Sequence, residues 1–496
     1  MVQKQTRIID EYQNVHIQGK ILGQGGQGIV FRTKDPDLAI KLVTNEQGIP
    51  VVDKKSIDSY RICYKRIRLL PLPKNSNISI PVALIEGQAG YVMQLLSEMN
   101  PFSQFFMDGK SAKELDHRTM PPWLDEMPNE EAKKIVYYNE SGGLRRRLTA
   151  LYKASVNLCR LHSNGLVYGD ISPNNLFVSK DAEASSVWLI DADNIRFEVS
   201  SGGSIVYTPK YGAPELVQGR EAGTFSSDCH ALAVVAFYLL SMIHPFIGKL
   251  LDGSEEDDWA DEQGDIPLME EQAYAGLLPW VEDRSDDSNA SIYGLPRCLL
   301  LTEKLENLFD ETFSAGRMDP MKRPSIYHWT EAFAQASDTT IECPGCHMTY
   351  YFDFKHPETG ANCCPYCGTT RPRSLVLEAY QWNGPGRELE KPLWSFTREI
   401  NQNSAIRVPR RVGYEFTMED SDKDAFHIEV RTDAVIIRKS DSSDSDLYAA
   451  ADMNAGQEFR KVHAQMRIDC NPEECRIWLY TESVQSRLIK CSIIGG

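Results

Sequence analysis

The chain has 496 residues and a formal net charge of −17. Its length favours two or three domains, and its 42% hydrophobic and 25% charged residues are typical of a soluble globular protein. The acidic balance argues against nucleic acid or an anionic membrane as the main partner, because both require clustered Lys and Arg. We find neither a signal-peptide core nor an apolar run of the ~20 residues that a membrane span needs, so we expect a cytoplasmic protein without membrane contact.

The first motif along the chain is ILGQGGQGIVF, residues 21–31, in which glycines interrupt an apolar hairpin pattern. Gly23, Gly25 and Gly28, followed by Val30, have the spacing of a loop whose backbone N–H groups cover phosphates. The same pattern also marks other turns. Lys41 in the next apolar strand strengthens the nucleotide interpretation, since a lone cation there is the expected phosphate partner.

Three elements are predicted between this loop and the next motif. Residues 55–70 predict a helix, because apolar residues recur on one face at spacings of three and four. Residues 91–96 predict a buried strand. A long helix then carries one apolar face made of Leu148, Leu151, Ser155, Leu158 and Leu161.

The stretch 166–194, LVYGDISPNNLFVSKDAEASSVWLIDADN, carries the residues that point to chemistry. Asp170 precedes Asn175 by five residues, and an apolar strand then ends at Asp191. Phosphoryl transfer needs a carboxylate to accept the proton of the attacking hydroxyl, together with an Asn and an Asp that hold Mg²⁺. The spacing predicts these roles, although an isolated Asp or Asn in a loop is usually a cap or turn residue.

These motifs resemble those of the eukaryotic-like Ser/Thr protein kinases of bacteria. Downstream segments match in order: TPKYGAPE at 208–215, Asp228, and DPMKRP at 319–324. The resemblance covers about residues 17–337. It implies an α+β, bilobal protein-kinase-like fold and the ATP- and Mg²⁺-dependent phosphorylation of Ser/Thr hydroxyls on protein substrates, including the chain itself.

The resemblance also assigns site residues. It implies that Asp170, Lys41, Asn175 and Asp191 are catalytic. Lys41 would contact the phosphates of ATP, and Asn175 and Asp191 would hold Mg²⁺. It adds these ATP-binding residues: Gly23, Gly25, Gly28, Val30, Gln94 and Leu96, with Met93 gating the back of the pocket. In the family a helix Glu pairs with the strand lysine, but this chain has no Glu between Glu46 and Glu86. Asp58 is the nearest substitute and Asp53 the other, and both also fit a solvated helix face.

The catalytic loop departs from the family pattern at three places. Tyr168-Gly169 replaces His-Arg, Ser172 stands where a Lys is usual, and Asp191-Ala192-Asp193 replaces Asp-Phe-Gly. Without the Arg, we expect that phosphates on Ser200, Ser201 or Ser204 do not switch activity. The lost cations leave an alternative open, in which the chain is a pseudokinase that binds nucleotide and recruits partners.

Two CxxC motifs lie in the last third of the chain. Cys343, Cys346, Cys364 and Cys367 have the spacing of a structural Zn²⁺ ribbon. Cys363 and His347 are adjacent alternatives without the symmetric spacing. Closed four-cysteine sites are structural, so we assign no catalysis to this one.

We expect three domains: a kinase-like domain over 1–338, the zinc ribbon over 339–373, and a small antiparallel β sandwich or barrel over 374–496. The last is predicted from alternating apolar residues at 412–418, 426–430, 435–437 and 477–479. It carries no chemical motif and is interpreted as a binding module.

The acidic run 251–265 is either a solvated loop or a docking surface for a basic partner. A looser resemblance, to kinases of tellurite-resistance-like modules, implies a PP2C-type phosphatase and a von Willebrand A-type protein as partners.

Overall fold

A computed structural model of the chain describes residues 6–25, 28–45, 47–125, 127–181, 186–198, 205–252, 268–382, 389–401, 404–419, 421–441, 446–451, 458–474, 476–483 and 485–495. Ser200, Ser201 and Ser204 lie outside these residues, as does nearly all of the acidic run. Within the described residues, no helix has the length and apolarity to cross a membrane.

The N-terminal lobe is an antiparallel sheet of order β1-β2-β3-β4-β6-β5 with one helix packed on it. Its elements are β1 (Arg7–Ile9), β2 (Val15–Gly25), β3 (Gly28–Thr33), β4 (Leu38–Leu42), α1 (Lys54–Leu69), β5 (Ala83–Leu84) and β6 (Gly90–Gln94). Helix α1 begins where Asp53 accepts a hydrogen bond from the backbone N–H of Ser56, and it buries Ile57, Tyr64 and Ile67. The predicted helix is therefore confirmed, with Tyr60 at the edge of its buried face.

The C-terminal lobe is mainly helical. Its helices are α2 (Gly109–Leu115), α3 (Asn129–Glu140), α4 (Gly143–Ser163), α5 (Pro214–Val217), α6 (Phe225–Ser241), α7 (Lys249–Asp252), α8 (Leu268–Tyr274), α9 (Glu303–Phe313), α10 (Ala315–Met318) and α11 (Ile326–Asp338). Short strands, β7 (Met99–Pro101), β8 (Leu166–Val167), β9 (Leu176–Ser179), β10 (Val187–Leu189) and β11 (Arg196–Phe197), frame the cleft. All five residues of the predicted α4 face are fully buried, so this helix forms the centre of the lobe.

The tail begins with the hairpin β12 (Thr340–Glu342) and β13 (Thr349–Tyr351) and continues as two antiparallel sheets. One has the order β15-β14-β23-β22-β19-β20 and the other β16-β17-β18-β21. The elements are β14 (Ser374–Gln381), β15 (Trp394–Glu399), β16 (Ala405–Pro409), α12 (Arg410–Gly413), β17 (Asp424–Val430), β18 (Ala434–Lys439), β19 (Leu447–Ala451), β20 (Arg460–Lys461), β21 (Gln465–Asp469), β22 (Ile477–Thr481) and β23 (Arg487–Ile494).

The prediction of a strand over 412–418 is wrong. Residues 410–413 form α12, and no strand follows before β17 within the described residues. The apolar side chains there have another use: Val412 and Tyr414 are buried, and the ring of Phe416 lies 5.4 Å from that of Trp394 and 5.9 Å from that of Tyr327. The alternation thus marks a segment that packs between the tail and the C-terminal lobe.

Side chains of the C-terminal lobe, the tail and helix α1 form one continuous core, whereas most of the buried residues of the N-terminal sheet form a smaller core of their own. Asp338, at the end of α11, is fully buried at this junction. It accepts hydrogen bonds from Arg411 Nε at 2.8 Å and from Trp394 Nε1 at 2.9 Å. The expected division at residues 338 and 373 remains a prediction, and the segments on either side of it are in close contact.

Candidate active site

Asp170 lies in the loop after β8, with its side chain only 6% exposed. It accepts hydrogen bonds from Thr208 Oγ1 at 2.6 Å and from Asn175 Nδ2 at 3.1 Å. Burial raises the pKa of Asp170 above its ordinary value, and the nearby Asp191 carboxylate adds to this, while both hydrogen bonds oppose it. The loop therefore holds a carboxylate ready to accept a proton beside an amide.

The backbone of this loop is held by Asp228 at the start of α6. Its carboxylate accepts the N–H groups of Tyr168 at 2.8 Å and Gly169 at 2.9 Å, and it lies 3.0 Å from His162 Nε2. The hydroxyl of the buried Tyr168 donates to the carbonyl of Ile190, directly before Asp191. One tyrosine thus ties the catalytic loop to the loop that carries the predicted metal ligand.

Asp191 has left-handed backbone angles, φ 59° and ψ 57°, and is followed by a 3₁₀ turn, Ala192–Asn194. A non-glycine residue in this region is strained, and such residues concentrate at functional sites. The side chain reaches across the cleft to β4, where Lys41 Nζ donates to its Oδ1. The conformation at Asp191 thereby links the two lobes.

Lys41 is buried and also donates to Asp193 Oδ2 at 2.8 Å. The hydroxyl of Tyr91, opposite Lys41 on β6, donates to Asp193 Oδ1 at 3.0 Å. Burial alone lowers the pKa of Lys41, but the two carboxylates outweigh it and raise the pKa above its ordinary value. Burial raises the pKa of Asp193, and Lys41 opposes this shift. A cation with two carboxylates is therefore fixed at the back of the cleft.

The helix carboxylates considered from sequence do not take part in this cluster. Asp58 is exposed on α1, and the side chain of Asp53 caps the helix N-terminus. The expectation that Asp58 or Asp53 pairs with Lys41 is therefore wrong. Helix α1 presents Ile57, Tyr64 and Ile67 to the interior of the lobe instead. The sequence signal that was missed is the second Asp of Asp191-Ala192-Asp193.

The predicted glycine-rich loop is the β2–β3 hairpin, with Gly25 paired to Gly28 and its tip outside the described residues. Gly23 and Val30 also pair across it. At Gly28 a Cβ would lie 2.3 Å from the carbonyl oxygen of Leu42, so this position requires glycine. Gln94 ends β6 and is exposed; Leu96 follows in the connection between the lobes, and Met93 is partly buried.

A buried ion pair supports the floor of the site. Arg323 donates through both terminal nitrogens to Glu215, at 2.7 and 2.8 Å. Glu215 is the last residue of the TPKYGAPE segment and the second residue of the short helix α5. Such bidentate pairs are geometrically specific, and this one fixes the segment that carries Thr208.

The four predicted cysteine ligands come together between β12 and β14, and their sulfurs all lie within 4.8 Å of one another. The Sγ distances are 3.5 Å for Cys343 and Cys367 and 3.6 Å for Cys346 and Cys364. Tetrahedral Zn²⁺ with Zn–S bonds of ~2.3 Å separates its sulfurs by about 3.8 Å, so the donor set fits this metal. His347 instead contacts Glu342, and Cys363 is not part of the cluster.

Comparison with known proteins agrees with this geometry. Residues 123–333 match the protein kinase domain family. The serine/threonine-protein kinase pkn2 of Myxococcus xanthus is 31% identical over 235 residues, which are 45% of this chain and 24% of that protein. The serine/threonine-protein kinase PknD of Chlamydia pneumoniae is 25% identical over 263 residues, 47% of this chain and 25% of that protein.

A eukaryotic relative is also found. The cAMP-dependent protein kinase catalytic subunit PRKX of Homo sapiens is 28% identical over 134 residues, 26% of this chain and 36% of that protein. The match to this chain spans about a quarter of the length of each of the two bacterial relatives. Residues 123–333 of this chain are therefore similar to the protein kinase domains of bacterial serine/threonine kinases.

Proposed function

We propose that the chain transfers the γ-phosphoryl group of ATP to Ser or Thr hydroxyls of protein substrates, including its own. The observation that carries the proposal is the pairing of the buried Asp170 with Thr208 and Asn175, opposite Lys41 and Asp191. It brings a proton acceptor, oxygen ligands and a cation to one cleft, as in-line phosphoryl transfer requires.

In the proposed reaction, an Asp170 oxygen accepts the proton of the substrate hydroxyl. The hydroxyl oxygen forms a bond to the γ-phosphorus, the bond from that phosphorus to the bridging oxygen breaks, and ADP leaves with the electron pair. Lys41, kept protonated by its carboxylate partners, neutralises charge on the α- and β-phosphates.

The donor set at the cleft fits Mg²⁺, which prefers carboxylate and amide oxygens. Asn175 and Asp191 would hold it, and the bound ion supplies charge neutralisation on the phosphates. Gly23, Gly25, Gly28 and Val30 would cover the nucleotide phosphates. Backbone groups of Gln94 and Leu96 would contact the adenine.

The tail is proposed to be a zinc ribbon followed by a β module that binds a partner. Cys343, Cys346, Cys364 and Cys367 would hold one structural Zn²⁺, with no part in the transfer reaction. A cytoplasmic location remains a prediction from the sequence, whereas a PP2C-type phosphatase and a von Willebrand A-type protein as partners extend the proposal on the basis of resemblance alone.

The test compares the purified wild-type chain with Asp170→Asn and Asp191→Ala, using labelled ATP, Mg²⁺ and a generic protein acceptor. We expect both variants to lose transfer, and Asp58→Asn, which alters an exposed carboxylate on α1, to retain it. Turnover that persists in Asp191→Ala would contradict the kinase proposal. Tight Mg²⁺·ATP binding by a wild-type chain that transfers nothing would favour the pseudokinase alternative.

A further inference from the structure

The carboxylate partners of Lys41 both come from the C-terminal lobe. Among the described residues, Lys41 Nζ contacts Asp191 and Asp193, and both belong to the segment that follows β10. Helix α1 packs against the same segment but contributes no carboxylate to Lys41. The lysine of this chain is thus oriented from the C-terminal lobe.

The two carboxylates are not equivalent. Asp191 is the proposed Mg²⁺ ligand, and a carboxylate bound to that ion is a poorer partner for a lysine. Asp193 has a second fixed contact, because Tyr91 OH donates to its other oxygen at 3.0 Å. Tyr91 and Lys41 are opposite one another on the paired strands β6 and β4, so Asp193 is held by both.

We propose that Asp193 is the positioning residue for Lys41: it holds the ammonium group in the cleft while Asp191 is engaged with the metal. The inference rests on the proposed function, whose residues Lys41 and Asp191 it uses. It assigns to the segment after β10 the task for which related kinases use a glutamate on the helix.

This arrangement has a consequence for assembly of the site. Asp191 directly precedes the 3₁₀ turn Ala192–Asn194, which contains Asp193 and whose residue Ala192 is buried. The metal ligand and the partner of Lys41 therefore move as one unit, and α1 need not swing to bring a charge into the cleft.

The test measures nucleotide binding by calorimetry, with a non-hydrolysable ATP analogue over a series of Mg²⁺ concentrations, in wild type and in Asp193→Asn. The variant keeps the size of the side chain and removes its charge. Without that charge Lys41 remains on Asp191 and competes with Mg²⁺ for it. We expect the Mg²⁺ concentration for half-maximal binding to rise by about tenfold to a hundredfold, the range that a charge-assisted hydrogen bond supports.

Two further variants make the result specific. Tyr91→Phe leaves Asp193 in place but removes one of its contacts, and it should shift the Mg²⁺ dependence in the same direction by a smaller factor. Asp58→Asn should match wild type. Thermal melting of each variant without ligand identifies any that fail to fold. If Asp193→Asn is unfolded, the Mg²⁺ dependence of Tyr91→Phe is compared with that of wild type instead.

An unchanged Mg²⁺ dependence in folded Asp193→Asn would overturn the inference, as would a larger effect in Asp58→Asn. The proposed function can fail separately. A wild-type chain that binds the analogue but transfers no phosphate from ATP would refute the kinase activity, and the binding series would still test Asp193.

Discussion

Tyr168 connects two backbone segments that carry different parts of the site. Its buried hydroxyl donates to the carbonyl of Ile190, and the next residue, Asp191, has left-handed backbone angles. That conformation costs a non-glycine residue about 1–2 kcal/mol, so neighbouring contacts must hold it. The tyrosine hydroxyl is one such contact.

We therefore predict that Tyr168→Phe lowers the free energy of unfolding by about 1 kcal/mol, the usual net value of a hydrogen bond. It should also weaken Mg²⁺-dependent nucleotide binding, because Asp191 is then less firmly fixed. Urea denaturation and Mg²⁺ titration measure the two effects. Tyr293→Phe, at a half-exposed tyrosine, is the matched control. Equal Mg²⁺ dependence in both variants would show that Tyr168 is a packing residue only.

Sequence spacing selected Asp170, Asn175, Asp191 and Lys41 as candidates, and the structure brings Lys41 into contact with Asp191 and Asn175 into contact with Asp170. Spacing could not assign a role to Asp193 or Tyr168. Both lie within the motif that was quoted, but their roles depend on contacts with residues on other elements, Lys41 and Ile190 respectively. Local spacing carries no information on such long-range pairs.

At the scale of elements, α4 connects the catalytic loop with the cysteine cluster. Its first residue, Gly143, has φ 64°, and a Cβ there would lie 2.7 Å from Thr349 Oγ1 on β13. The same hydroxyl accepts the N–H of Arg145 at 3.0 Å, and Cys346 O accepts from Asn139 Nδ2 at 2.9 Å. The hairpin of β12 and β13, which carries Cys343 and Cys346, thus caps α4 through Thr349 and contacts α3 through Cys346, and α4 has no capping side chain of its own.

We predict that loss of metal from the cysteine cluster affects the proposed phosphoryl-transfer site as well as the tail. Cys346→Ser should lower the zinc content below one ion per chain, because metal binding supplies much of the folding energy of so small a site. It should also lower the melting temperature of the whole chain and its transfer rate, since the cap of α4 is then lost. Metal analysis, calorimetry and the transfer assay measure these effects.

Cys363→Ser provides the control for this prediction, since Cys363 is adjacent to Cys364 but outside the cluster. It should leave both zinc content and melting unchanged. A zinc-depleted Cys346→Ser chain with wild-type melting and transfer would show that the hairpin and α4 are independent.

Helices were the elements best predicted from sequence, because burial on one face imposes a repeat that is visible in the residues themselves. The tail strands 426–430, 435–437 and 477–479 were found for the same reason with a period of two. The pattern failed at 412–418, where buried residues face a second part of the chain. Alternation shows that side chains are buried, and it does not show what covers them.

At the scale of the whole molecule, the tail and the C-terminal lobe are joined by charged groups as well as by apolar packing. Arg145 on α4 donates through both terminal nitrogens to Glu399 on β15, at 2.8 and 2.7 Å. Burial raises the pKa of Glu399, but Arg145 outweighs it and lowers the pKa to about 2. This pair makes the junction sensitive to acid.

We predict the sign of that sensitivity from the depressed pKa. Protonation of Glu399 is disfavoured in the folded chain, so its contribution is complete above its ordinary pKa of 4.5 and is lost as pH falls towards 2. A shift of this size corresponds to roughly 3 kcal/mol. Glu399→Gln should therefore be less stable than wild type at pH 7 and converge with it in acid, as followed by urea denaturation at several pH values.

Glu390→Gln, at an exposed position between β14 and β15, serves as the control and should have the same stability as wild type at every pH. A Glu399→Gln chain whose deficit stays constant between pH 5 and pH 2.5 would show that the carboxylate contributes through its shape rather than its charge.

Helix α4 also fixes a distance. Its 21 residues correspond to about 30 Å at the usual rise per residue, with the cysteine cluster near one end and the catalytic loop after the other. A paramagnetic ion placed in the four-thiolate site would be joined, through the continuous core around this helix, to a second such ion bound at Asn175 and Asp191. Because that core is continuous, the separation of the two ions should stay constant while a nucleotide or a partner of the tail is bound. The separation of the two ions is therefore a constant reference distance for measurements of movement in the N-terminal lobe.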